Sequence, residues 1–141
     1  MKKYVLLLII IIVAITSVAY LYINYVNGAN NVNTMNKEYE NLYNNIINGA
    51  ALATNINKIL DKNAKNNVSK DNNGYYLDNE QNSIIVEIKF KDSDNIFRTE
   101  QIYNNGMSKF INLYSNINFK CTKLEKHNKT NLISYLYFEE V

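Results

Sequence analysis

The chain opens on an apolar run. From Val5 to Ala19 every residue is apolar except Thr16 and Ser17, and the run continues through Tyr20, Leu21, Tyr22, Ile23, Tyr25 and Val26, with Asn24 as its only break. About 20 apolar residues cross a bilayer as a helix. Residues 4–26 are therefore expected to form a transmembrane signal-anchor helix whose partner is the lipid bilayer. Tyr4 at one end and Tyr20, Tyr22 and Tyr25 at the other suit the headgroup region. The hydroxyls of Thr16 and Ser17 can bond back to helix carbonyls. Residues 27–33, polar and containing Gly28, read as a linker.

Beyond the linker, residues 34–141 read as one α+β domain. Tyr39, Leu42, Ile46, Gly49, Ala53, Ile56 and Leu60 recur at spacings of three and four, the stripe of a helix packed on its own domain. Asn48-Gly49 is a point where that helix could split. Asp71-Asn72-Asn73-Gly74 is a turn signal, and Tyr75-Tyr76-Leu77 a short strand. From Ser83 to Lys91 the chain alternates, Ile84, Val86, Ile88 and Phe90 on one side and Ile85, Glu87, Lys89 and Lys91 on the other, as a half-buried strand does. Thr99 is placed to cap a second helix with the stripe Ile102, Gly106, Phe110 and Leu113. Residues 118–126 and 132–139 read as a hairpin closed at Asn128-Lys129-Thr130-Asn131 by a type I turn and a bulge, with Asn131 left-handed. Leu124, Leu132, Leu136 and Phe138 then share a face. The expected fold is α+β: transmembrane helix, helix, two strands, helix, two-stranded hairpin, forming a small antiparallel sheet.

Charge matters by position. Lys2 and Lys3 precede the apolar run and are two of the 15 cationic residues, so 13 remain against 13 acidic ones. The positive-inside rule places the N-terminus in the cytoplasm and residues 34–141 outside it. The alternative is a signal peptide cleaved after Ala19 and a secreted product, since Ser17-Val18-Ala19 has small residues at a cleavage-site spacing. The balanced, interspersed charge lacks the footprint of a nucleic-acid binder. Asn, Lys, Ile and Tyr are abundant and Pro and Trp absent, which reads as codon bias rather than as a prion-like tract.

Candidate chemistry is thin. His127, the one histidine, sits beside the hairpin tip and reads as an exposed turn residue. Cys121, the one cysteine, is six residues earlier. That separation on a strand excludes a dyad or a shared metal, and Cys121 reads as a small packing residue. Asp92-Ser93-Asp94-Asn95 begins like an EF-hand loop but fails at Phe97 and Tyr103, leaving a solvated turn. Asn67-Val68-Ser69 and Asn128-Lys129-Thr130 match the glycosylation pattern, as chance allows in an Asn-rich chain. Tyr75, Tyr76, Tyr135 and Tyr137 read as packing residues that could form a binding surface if their rings cluster. No catalytic, cofactor-binding or metal residue is assigned, and no cofactor.

Three stretches, Asn48 to Lys58, Phe119 to His127 and Lys129-Thr130-Asn131, together with the N-terminal anchor, resemble a family of small, uncharacterised membrane-anchored proteins of low-GC Gram-positive bacteria. The resemblance implies a bacterial cell-envelope location and no activity. The layout of hydrophobic helix, helical continuation and small sheet is similar to type IV pilins and pseudopilins, though no Gly precedes the run, no Glu lies near its start and the linker at Asn27 to Asn31 interrupts the spine. The expected function is a non-enzymatic envelope interaction or assembly module, its partner another envelope protein or itself. The alternatives are a pseudopilin-like subunit of a pilus or secretion apparatus, and a tethered envelope hydrolase or thiol enzyme.

Overall fold

The computed structural model describes residues 2–141. Helix α1 runs from Lys2 to Glu40. Among the described residues it is the one helix long and apolar enough to cross a membrane, a property that an anchor and a signal sequence share, and its apolar stretch is wholly exposed. Thr16 Oγ1 donates to the Ile12 carbonyl at 3.0 Å and Ser17 Oγ to that of Val13 at 2.7 Å, so neither hydroxyl is left unpaired on the apolar surface. Residues 27–33, expected as a linker, are helical throughout. The segment holds no Pro, and one Gly costs a helix only about 1 kcal/mol, too little to break it. The chain divides into two units, Met1–Met35 and Asn36–Val141.

In the second unit, the chain leaves α1 through a turn at Asn44, whose φ is 61°, and enters β1, Ile46–Asn48. The expected continuous stripe is therefore divided: Ile46 lies exposed on an edge strand. Helix α2, Gly49–Lys65, starts afresh with Asn48 as N-cap, its side chain accepting from the Ala51 N–H at 2.9 Å, which satisfies one of the orphan donors of a helix start. Leu52, Ala53, Ile56 and Ile59 line its buried face. Strand β2 is Ile85–Lys89 and β3 Ile96–Arg98. The expected strand at Tyr75–Leu77 is reduced to one bridge between Lys70 and Tyr76. The expected second helix is two, α3 (Thr99–Asn104) and α4 (Met107–Tyr114), broken at Gly106, whose φ of 102° no helix tolerates. Arg98 rather than Thr99 occupies the cap position, its N–H donating to Gln101 Oε1 at 2.8 Å. Strands β4 (Asn118–Lys126) and β5 (Ile133–Glu140) form the hairpin, with Asn131 left-handed at φ 59° as expected.

The α+β class holds, but the sheet has five strands in the order β1-β4-β5-β2-β3 and is mixed, because β2 runs parallel to β5. A parallel neighbour needs a long crossover, and β3, α3, α4 and β4 supply it. The alternation slips twice along the hairpin. Residues Thr122 and Ser134 are extra, since Cys121 pairs with Phe138 but Lys123 with Tyr137, and Glu125 pairs with Tyr135 but Lys126 with Ile133. Such bulges flip the side-chain phase, and Ile133 rather than Leu132 is buried. Val86, Ile88, Phe119, Cys121, Leu136 and Phe138 face α2, α3 and α4 in one core. The opposite face carries Glu87, Lys89, Tyr135, Tyr137 and Glu139, half-exposed.

Candidate functional site

Where β2 ends, the chain makes its loop to β3, and α3 and α4 fold back over the same corner. Phe90, Phe97, Ile102, Phe110, Leu113 and Tyr114 wall an open cleft of about 250 Å³, with Asp92, Ser93, Asn105 and Lys109 as its polar lining. Gly106 makes room for it. Its positive φ lets α3 stop and α4 start at an angle, and a Cβ there would meet nothing within 4 Å. The walls are mutually braced. Phe90 meets Phe97 edge-on at 5.4 Å between centroids and Tyr114 at 4.7 Å, while Phe110 stacks on Tyr114 at 5.3 Å. Phe119, fully buried, backs Phe90 at 5.9 Å. Aromatic pairs at these separations contribute beyond area burial alone, so the aromatic walls hold one another in place with no occupant. Apolar walls with a few polar groups at the lining match the anatomy of a binding pocket.

Cys121 lies within β4 in the core, fully buried. Burial pushes its thiol up to about 11, and its Sγ donates to the Lys123 carbonyl at 3.4 Å. A protonated, inaccessible thiol is no nucleophile, which fits the packing role expected of it. His127 departs from expectation: it is not an exposed turn residue but is buried at 5% exposure. The loop 78–83 folds over it, and Nε2 lies 2.8 Å from the Ser83 carbonyl oxygen. The two residues occupy different parts of β4 and its exit and share no pocket. Among the described residues no group of three His, Cys, Asp or Glu side chains is placed to hold a metal. Asp92-Ser93-Asp94-Asn95 is the β2–β3 loop, closed by Asn95 N–H on Ser93 Oγ at 3.1 Å.

The tyrosines divide. Tyr76 is buried, donating its hydroxyl to the Leu60 carbonyl at 3.3 Å. Tyr135 lies on the open sheet face with its hydroxyl on Glu87 at 2.7 Å; partial burial first, then that carboxylate, raise its pKa. A second charged node sits beneath α3. Glu100, 4% exposed, takes the Tyr76 N–H at 2.8 Å and pairs with Arg98 at 3.0 Å. It stitches the 70–77 segment to the helix and is structural, because its oxygens are already engaged. Sequence reasoning found the α3–α4 stripe but missed Phe97, Phe90 and Tyr114 as a joint wall. Three aromatics within reach of one loop were the available signal, and only the fold brings them together. No protein-family model matches the chain, and neither a curated protein nor a solved structure matches it.

Proposed function

We propose that this protein is a membrane-tethered, non-enzymatic interaction module of the bacterial cell envelope. Residues 4–26 act as the tether, the N-terminus stays in the cytoplasm, and the 36–141 unit works outside it. The observation that carries the reading is the preformed aromatic cleft, in a unit whose one thiol and one imidazole are both buried elsewhere. The occupant is a protein partner that inserts one aromatic or branched side chain. Apolar walls ringed by Asp92, Ser93, Asn105 and Lys109 reproduce in miniature the apolar centre and polar rim of a protein interface. A photoreactive phenylalanine analogue at Leu113, an exposed wall residue, tests it against the same analogue at Asn112. A discrete protein adduct from Leu113 alone, in intact cells, supports the reading. Adducts with lipid only, or the same pattern from both positions, contradict it.

A second reading has one observation in its favour. Helix α1 continues without interruption through residues 27–33, which removes the break that set the chain apart from a pilin-like spine. A pseudopilin-like subunit would yield disulfide-linked dimers when a cysteine placed at Ala14 is oxidised in the membrane.

A further inference from the structure

We propose that His127 and Asp78 form an acid-tightened clasp between the 78–83 loop and the tip of the β4–β5 hairpin. Three cross-links join these segments: Lys129 pairs with Glu80, Thr130 Oγ1 donates to the Gln81 carbonyl at 2.6 Å, and His127 Nε2 sits 2.8 Å from the Ser83 carbonyl oxygen. A carbonyl only accepts, so Nε2 carries the proton. A neutral imidazole has a single N–H, which leaves Nδ1 bare. Yet Nδ1 faces a second acceptor, Asp78 Oδ1, at 3.4 Å. That oxygen is held toward the ring by the Glu80 N–H at 2.8 Å and the Ser83 hydroxyl at 3.1 Å. In the neutral state a lone pair confronts a carboxylate. A proton on Nδ1 turns that confrontation into a charge-assisted hydrogen bond.

The surrounding charges are mixed. Glu80 and Glu125 favour the added proton, while Lys126 and Lys129 oppose it, all lining the same polar hollow. The lysines are themselves paired, Lys126 with Glu40 of α1 and Lys129 with Glu80, which blunts their opposition. Lys62 of α2 faces a separate hollow with Asn82 and Leu132. The Asp78 side chain is 54% exposed, so solvent keeps the gain modest. The clasp has a structural target. Asn36 of α1 donates to the Asn131 carbonyl at 2.8 Å and accepts the Ile133 N–H at 3.0 Å, so the tip that the clasp steadies is the tip to which the end of α1 is bonded.

The test uses full-length protein in detergent micelles, with amide-exchange protection factors for residues 83–84 and 127–133 at about pH 8 and about pH 5.5, on either side of the usual imidazole range. Asp78→Asn keeps an oxygen acceptor for Glu80 and Ser83 and removes only the charge. The wild type should gain about threefold in protection on acidification, the scale of a partly exposed ion pair. The variant, relieved of that confrontation, should be at least as protected as the wild type at the higher pH and gain nothing on acidification. Imidazole ¹⁵N shifts should report an Nε2–H tautomer at the higher pH and protonation of both nitrogens at the lower. An equal acid gain in Asp78→Asn, no gain in the wild type, or an Nδ1–H tautomer would overturn the proposal.

Discussion

His127 shows how a single side chain can be misjudged from its neighbours in sequence. It stands beside Asn128-Lys129-Thr130, a turn, and turns are exposed. What buries it comes from 44 residues away, the carbonyl of Ser83, and no local pattern announces a loop that folds back. The consequence is energetic. As an exposed turn residue, its replacement by Ala would stay within about 0.5 kcal/mol. As a buried ring on a buried carbonyl, His127→Ala should cost ~1–3 kcal/mol, because the Ser83 oxygen loses its partner; urea unfolding of the two proteins measures this. Cys121 and the left-handed Asn131 were legible, since packing by a small apolar side chain and a turn ending in Asn are local matters. Cys121 also carries a pH dependence. Its folded pKa is raised, to about 11 from the ordinary 9.0, so the folded state holds a proton that the unfolded chain releases. The stability it contributes is complete below about pH 9 and is lost as pH rises toward 11. Cys121→Ala should flatten part of the alkaline decline in stability between those values. Tyr39, pushed up to about 12 by burial and by Glu38, and Tyr135, raised by burial and by Glu87, should sustain much of the rest.

At the scale of elements, α1, α2 and the long strands were readable because each carries several turns or alternations of pattern, whereas the short α3 and α4 were read as one helix. Strands β1 and β3 were not, because three residues hold too little alternation to distinguish a strand from a loop. The parallel pairing of β2 with β5 was equally hidden: alternation tells which face a residue takes, not which strand lies beside it. Gly106, read as one position of a helix stripe, instead breaks that helix, and the glycine that a close approach requires is Gly49. There a Cβ would overlap the Tyr114 carbonyl oxygen, and the Gly49 N–H itself donates to the Ile117 carbonyl at 2.8 Å. This is where α2 passes the end of α4, the element that walls the cleft. Gly49→Ala should therefore destabilise the unit by ~1–3 kcal/mol or more through overpacking. Gly28→Ala, with open space around it, should be neutral or slightly stabilising through helix propensity. Thermal unfolding of both variants separates the two cases.

For the whole molecule, the sequence yielded the α+β class and a single apolar N-terminal helix, while the five-stranded mixed sheet and the cleft waited on the fold. The cleft was illegible because its walls come from three elements and the β2–β3 loop, and each wall residue alone looks like ordinary core. The 36–141 unit has its own core, from Tyr39 to Phe138, and should unfold cooperatively in urea without lipid or metal. Ile88→Ala, at a fully buried position, should cost ~2–5 kcal/mol; a unit that unfolds gradually, or only on adding a chelator, would refute this.

Thiol labelling reads directly whether the proposed tethered unit works outside the cytoplasm. Cys121 is buried, so a cysteine introduced at the exposed Ser108 of α4 is the one thiol a reagent can reach. A membrane-impermeant maleimide applied to intact cells should modify Ser108→Cys in the full-length, membrane-pelleted protein and leave the parent chain unlabelled. Labelling only after lysis, or labelled protein found in the medium with its N-terminus at Tyr20, would contradict it.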